Sequence, residues 1–432
     1  MSEVSGQNLL LLICVGGPDA GKRVAVTGKT VLLGRSSACE LASDDPDVAE
    51  RHVSLEFKDG KISFAAIGGS PVFLDSQRTE TGRIEARQQL RIGRSIWQIE
   101  AGALSGDLSS FLGNFGDKIS EVAGVEKIEG FSLSDMFSEI WRKRTDEEME
   151  DYFAVGTATT TPRLQDANTG WPKPWLFVKI FGLAALVYLG LVFAYQTFNN
   201  DLMLPGLLTM GAFVMPFSLL IFFFETNVVR NVSLYQILKL LFLGGILSVI
   251  MALALFQVTK WGGAGNWFSA VGVGLIEEAG KVGALLLVVN KLKYRWTLNG
   301  MLFGAAVGAG FAAFESAGYA YSAGGDYGSD AMLHSITTRG LLCICGGHVL
   351  WCALTGAALW RVRGDRKFEW PMLQDMRFLR VYGLAAAMHA LWDAPFNLPF
   401  YLKYIVLGFV AWVALLSLIQ AGLRQVRAAQ EG

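Results

Sequence analysis

Charge is scarce in this sequence. Only 17% of its 432 residues are charged, 37 basic against 38 acidic, while 52% are hydrophobic. A net charge of −1 leaves no basic excess for a phosphate backbone, so nucleic acid is not expected as a partner. The chain is too apolar for an ordinary soluble protein and too charged to lie wholly in a bilayer; its length suggests two to four domains. Cysteine is rare too. Cys14, Cys39, Cys343, Cys345 and Cys352 show no even spacing, which excludes a disulfide framework and predicts reduced thiols. The apolar run in "MSEVSGQNLLLLICVGG" is short and has no basic residues before it, so it reads as a β-strand and not a signal peptide.

What is present falls into three stretches. Residues 8–102 contain short runs of β-formers, such as "TVLLGR", "HVSLEF" and "KISFAAI", separated by Gly, Asp or Pro turns. That spacing predicts an all-β sandwich. Residues 103–174 hold two amphipathic patches, the acidic "TDEEMEDYF" and the Thr-rich "GTATTTPRL", and read as a linker, part helical and part disordered. Thr157, Thr159, Thr160 and Thr161 are candidate kinase targets there.

Residues 175–425 carry about eight apolar spans, near 175–196, 203–224, 234–257, 267–289, 299–321, 340–361, 378–397 and 400–422. This predicts an all-α polytopic membrane bundle, each span matching the ~20 residues that cross a bilayer. Basic residues gather before span one, in "NKLKYRW" after span four and in "RVRGDRKFEW" after span six. The positive-inside rule then puts both termini, and the β-domain, in the cytoplasm.

Inside these spans lie Glu277, Glu278 and Lys281 in span four, Glu315 in span five, His348 in span six, and His389 and Asp393 in span seven. A charge at mid-bilayer costs roughly 2.5–3.5 kcal/mol on insertion scales. An isolated case is usually a paired charge or a satisfied core histidine. Seven on four successive spans point to a site. Glu277 and Lys281 are spaced i,i+4, as are His389 and Asp393, so each pair shares a helix face. At 1.5 Å per residue, the expected topology places Glu277, Glu315, His348 and His389 roughly 9–15 Å beneath the outer surface, which implies one polar cavity. Gly300, Gly304 and Gly308, with Gly310 one step off, form a small-residue stripe for close helix packing.

The ordered set resembles a known family. "EEAGK" (Glu277–Lys281) fits EExxK, "FAAFE" (Phe311–Glu315) fits FxxxE, and "HALWD" (His389–Asp393) fits HxxxD, with "HVLW" at His348 between them. Together with "FFFETNVVRN" after span two, they resemble the PrsW family of intramembrane proteases, relatives of the CAAX-type proteases. The resemblance implies an endopeptidase of a bacterial inner membrane that cuts a membrane-protein substrate, such as an anti-sigma factor or similar signalling protein. Glu277 and Glu278 would activate water with the help of one His, while the other His with Asp393 would stabilise the oxyanion. Glu315 would complete the set, with Lys281 and Phe311 in support. No cofactor is favoured, because H-E-x-x-H spacing is absent. If zinc is present, His348, His389, Glu277 and Glu315 would be its ligands.

"LLGRSSACELASDDPDVAERHVSL" resembles a forkhead-associated (FHA) domain at Gly34, Arg35 and His52. That implies recognition of a Thr-phosphorylated cytoplasmic protein, with Arg35, Ser36 and Arg51 as phosphate ligands. The sequence departs from the pattern: Ala49 stands where Ser is usual, Glu50 where Arg is usual, and "GGSPVF" replaces the Asn-Gly turn. A scaffold that keeps the fold without phosphate binding is the alternative. For the membrane part the alternatives are a proton- or ion-coupled transporter and a non-catalytic scaffold.

Overall fold

Residues that alternate inward and outward, as in β10 (Leu90–Ile92) where Leu90 and Ile92 are buried and Arg91 is exposed, build the N-terminal part as sheet. The structure is a computed structural model that describes all residues except 1–9, 27–29, 59–60, 76, 85–87, 100–105, 262–264 and 290–291. It divides into two compact units, Met1–Asn114 and Phe115–Gly432.

In the first unit the other strands are β1 (Leu10–Gly16), β2 (Arg23–Val26), β3 (Val31–Gly34), β4 (Leu41–Ala42) and β5 (Val53–Lys58). They continue as β6 (Lys61–Ala66), β7 (Val72–Leu74), β8 (Gln77–Arg78), β9 (Thr81–Ile84) and β11 (Ser95–Ile99). A six-stranded sheet runs β2-β1-β11-β10-β7-β8 and a five-stranded sheet β4-β3-β5-β6-β9. Leu12, Leu90, Ile92 and Trp97 from one sheet meet Leu33, Val53, Leu55, Ile62 and Phe64 from the other in a single core. The predicted sandwich is what forms. Gly34 closes β3 where an added Cβ would overlap the Glu50 carbonyl, so the loop carrying Arg51 and His52 can cross tightly.

The helices are α1 (Gly106–Ala123), α2 (Leu133–Met136), α3 (Asp146–Phe153), α4 (Trp175–Phe198), α5 (Leu204–Thr209), α6 (Met215–Thr226) and α7 (Leu234–Lys239). They continue as α8 (Gly245–Thr259), α9 (Trp267–Val288), α10 (Thr297–Tyr327), α11 (Ser329–Leu341), α12 (His348–Arg363), α13 (Met376–Asp393) and α14 (Leu402–Glu431). Among the described residues six stretches are long and apolar enough to cross a membrane: Trp175–Phe198, Asp201–Thr226, Leu234–Thr259, Thr297–Tyr327, Ser329–Arg363 and Pro399–Glu431. The expectation was eight. The other two spans coincide with α9 and α13, which hold Glu277, Glu278 and Lys281, and Arg377, Arg380 and Asp393, respectively. Their charges keep them out of a test based on apolarity.

Two departures from the sequence reading matter. Span six is not one helix: α11 ends before a short turn, and Gly346 (φ 128°) and Gly347 (φ 102°) break the backbone before α12 restarts at His348. Both φ values lie where only glycine sits without strain. The segment expected as a linker is also folded from Phe115 onward. Ile119, Ala123, Val125, Met136 and Val155 join the bundle core, Ser120 and Ser417 hydroxyls lie 3.1 Å apart, and Arg424 pairs with Glu126 and Glu129. The amphipathic faces find a partner in α14, which periodicity alone does not name. The Thr-rich stretch closes on itself, Thr161 Oγ1 donating to the Thr157 carbonyl at 2.6 Å.

"FFFETNVVRN" is a structural clamp. Glu225 accepts the N–H groups of Leu176 (3.0 Å) and Phe177 (2.7 Å) at the start of α4, and the Tyr152 hydroxyl at 3.0 Å. Asn227 and Asn231 both accept from the buried Asn299 amide. The glycine stripe serves packing, as expected. A Cβ on Gly300, Gly304 or Gly308 would overlap the carbonyl of Gly356, Cys352 or His348, so the stripe seats α12 against α10.

Candidate functional site

The four helices that carry the intramembrane ionisable residues converge. Gly274 on α9 leaves room for the α13 backbone at Ala386 and Ala390, which draws His389 in beside Glu278. His389 Nδ1 lies 3.0 Å from Glu278 Oε1, and its Nε2 lies 3.5 Å from Glu277 Oε2 and 3.4 Å from Asp393 Oδ2. Lys281 Nζ donates to Glu278 Oε1 at 2.7 Å and stands 3.8 Å from Glu277. The i,i+4 spacing pointed to Glu277 as the lysine's partner; the closer one is Glu278, and Glu277 Oε2 stands farther off, at 3.8 Å from Lys281 and 3.5 Å from His389.

Lys281 also donates to His348 Nδ1 at 2.8 Å, which leaves the Nε2 proton of that ring to face Glu315 Oε2 at 2.7 Å. Phe311 supports the centre of the cluster: Lys281 Nζ sits 4.1 Å above its ring, and its centroid is 4.9 Å from that of His348. Trp351 stacks on His389 with centroids 4.5 Å apart, and the two imidazoles are 4.9 Å apart.

Glu278 and Lys281 are fully buried, Glu277 and His389 nearly so. Asp393 (33% side-chain exposure) and Glu315 (15%) are the most exposed carboxylates of the cluster. Glu277 Oε2 and Glu278 Oε2 are buried without a hydrogen-bond partner among the described residues. Such atoms are costly in a low-dielectric interior and are retained where chemistry needs them.

Sequence reasoning missed Arg339. It reaches from α11 to Glu315 through Nη2 and to the Ser316 hydroxyl through Nε at 3.2 Å, and it lies 4.4 Å over the Tyr319 ring. Its place as the one Lys or Arg between the end of α10 and the Gly-Gly break is the signal the sequence offers. Trp351 was also missed as a support, though it ends the "HVLW" motif.

Glu277, His348 and His389 each offer a ligand atom within 4.8 Å of the others. Two His and one Glu are a donor set found at catalytic zinc, and the orphaned Glu277 oxygen suits it. Glu315, expected as a fourth ligand, is outside this group and engaged by Arg339 and His348.

In the first unit, Arg35 and Arg51 are exposed and Ser36 partly so. Ser36 Oγ accepts from the Ala38 N–H at 3.2 Å. His52 is buried, accepting the Ala49 N–H at 3.0 Å and facing the Pro71 carbonyl at 3.1 Å, so it ties two loops together. A separate polar network lies beneath: Ser43 and Ser95 hydroxyls on Asp19, the Asp44 N–H on Asp19 at 2.7 Å, and Lys22 on Asp19 at 2.8 Å. Burial by itself would raise the Asp19 pKa, but these contacts, Lys22 foremost, hold it below the ordinary value.

No curated protein sequence matches the chain. Among solved structures, the FHA domain of a Chlamydia trachomatis protein aligns at 16% identity, covering 21% of this chain and 95% of its own, with a TM-score of 0.20. An Arabidopsis thaliana FHA domain aligns at 20% identity over 23% of this chain and 93% of its own, TM-score 0.22. The cytoplasmic domain of the T3SS sorting platform protein PscD from P. aeruginosa aligns at 19% over 21% and 78%, TM-score 0.20. Residues 14–102 match the family model described as the cytoplasmic domain of an inner membrane component of T3SS. Residues 233–419, which hold every member of the intramembrane cluster, match the family model described as PrsW family intramembrane metalloprotease.

Proposed function

We propose that the chain is an intramembrane endopeptidase that hydrolyses a membrane-protein substrate at the Glu277–Glu278–His348–His389 cluster. The observation that carries this reading is the pair of buried carboxylate oxygens, Glu277 Oε2 and Glu278 Oε2, that make no hydrogen bond among the described residues and lie beside two imidazoles and a lysine. Glu278 is held on one oxygen by Lys281 and His389, which orients the other, Oε2, to take the proton of an attacking water. Lys281 balances that carboxylate and shares its charge with His348. Asp393 and Glu278 flank the two nitrogens of His389 and fix the ring. Glu315, held by Arg339, does the same for His348.

The family description favours a metal over the cofactor-free expectation. Glu277, His389 and His348 would hold it, each imidazole giving up one of its carboxylate contacts to do so. A bound zinc would polarise the scissile carbonyl and acidify water. The β-domain is proposed as a regulatory module, with Arg35 and Arg51 as the exposed cations available to a phosphothreonine partner; the loop charges support an orientation with both termini cytoplasmic, and the family resemblance supports a bacterial inner-membrane setting.

Membrane proteomes of cells that make wild type, Glu277→Gln or Glu278→Gln test the reading. A membrane protein cut only by wild type supports it. Identical proteomes, with all three proteins present in the membrane at equal levels, would sink it.

A further inference from the structure

A second cavity of about 370 Å³ lies away from the catalytic cluster. Its walls are Thr157, Ala158, Thr161 and Leu164 from the Thr-rich stretch, Val229 and Asn231 from the loop after α6, and Lys293, Arg295 and Trp296 from the loop between α9 and α10. Those loops follow the ends of two apolar helices, Thr226 and Val288, so the cavity sits where the bundle leaves the hydrocarbon. That is the depth of lipid headgroups.

Its charge is of one sign. Lys293 and Arg295 line it and no carboxylate does. Lys293 is exposed, rests its ammonium 4.6 Å over the Tyr294 ring, and has no carboxylate partner among the described residues. Arg295 stacks 4.5 Å over Trp296 and its one carboxylate partner among the described residues is the exposed Asp365, at 3.4 Å. The cavity lined by Arg424 and Arg427 differs: Glu129 is part of its wall, and Arg424 is matched by Glu126 and Glu129. Of these two cavities, the one lined by Lys293 thus keeps a cation without a carboxylate partner among the described residues.

The remaining lining is split between apolar surface (Ala158, Pro162, Leu164, Val229 and Trp296) and the polar Asn231, Thr157 and Thr161. A ligand that fits carries a phosphate for the two cations and an apolar part for the apolar lining. We propose that this cavity binds the headgroup phosphate of an anionic phospholipid, anchoring the α9–α10 loop at the membrane surface. Basic pockets at helix ends select such headgroups by charge. The site is independent of the proteolytic reading, since none of its residues belongs to the catalytic cluster.

Full-length protein purified in detergent would be mixed with phosphatidylglycerol or phosphatidylcholine and the retained lipid counted by native mass spectrometry. Wild type is expected to retain phosphatidylglycerol in preference. Lys293→Gln/Arg295→Gln is expected to lose that preference by about fivefold per charge, roughly 30-fold in all. Lys293→Arg/Arg295→Lys, which keeps both charges, should retain it and so controls for folding. An unchanged preference in the Gln pair, or equal retention of the two lipids by wild type, overturns the proposal. Displacement of phosphatidylglycerol by millimolar inorganic phosphate, with no effect of equimolar chloride, would assign the site to free phosphate and overturn the lipid as its occupant.

Discussion

The two units each bury a polar cluster, and the clusters are built to opposite ends. In the β-domain, Asp19, Ser43, Asp45 and Ser95 are all buried and share hydrogen bonds with one another and with backbone N–H groups. None of their atoms is among the orphaned buried oxygens and nitrogens, whereas Glu277 Oε2 and Glu278 Oε2 of the membrane cluster are. A satisfied network stabilises one loop arrangement and has nothing left to offer a ligand. The unsatisfied one keeps acceptors in reserve. The difference separates a polar cluster that maintains a fold from one that can do chemistry.

The largest expected break in that comparison is catalytic. Glu278→Gln removes the proposed base, and loss of such a group costs ~10²–10⁴ in rate. Quantitative proteomics of the cut fragment would read this, and a rate within a few-fold of wild type would remove Glu278 from that role. Next comes Lys281→Met. It strips the cation from a fully buried carboxylate, so about 3–5 kcal/mol of stability should go, seen as a lowered unfolding midpoint of detergent-solubilised protein. An unchanged midpoint would show that the pair does not balance itself as drawn.

In the β-domain the expected effects are smaller. Asp19→Ala leaves Ser43 and Ser95 without their shared acceptor, at roughly 1–3 kcal/mol. Because the folded state holds Asp19 below its ordinary pKa, its contribution is present above about pH 4 and lost as pH falls through the lower, folded value. Acid unfolding of wild type should therefore be steeper than that of Asp19→Asn; parallel acid profiles would contradict the assignment. Smallest of all is Arg35→Ala. As an exposed side chain it should shift stability by less than ~0.5 kcal/mol, so any loss of phosphothreonine-peptide binding would report on recognition alone. No binding by wild type would favour the scaffold.

Much of the site was legible because a bilayer makes charge conspicuous. Glu277, Glu278, Lys281, Glu315, His348, His389 and Asp393 stood out from apolar spans, and the similar depths read from their positions agree with side chains that meet. Arg339 was not legible, because an arginine near a span end is ordinary. Only the turn of α11 back toward Glu315 gives it a partner. The docking of residues 115–174 was hidden for a related reason: an amphipathic patch announces an apolar face but not the surface that covers it.

Composition and order along the chain therefore determined the local matters: alternating strands in one unit, apolar helices in the other, and which few residues pay the cost of burial. Periodicity sets these, since each depends on neighbours two to four positions away. Tertiary structure alone decided that Glu278 and not Glu277 holds Lys281, that the sixth span breaks at Gly346–Gly347, and that Glu315 serves His348 and Arg339. Those outcomes rest on distances of a few ångströms between helices far apart in sequence, where packing and charge compensation select one partner among several that spacing permits.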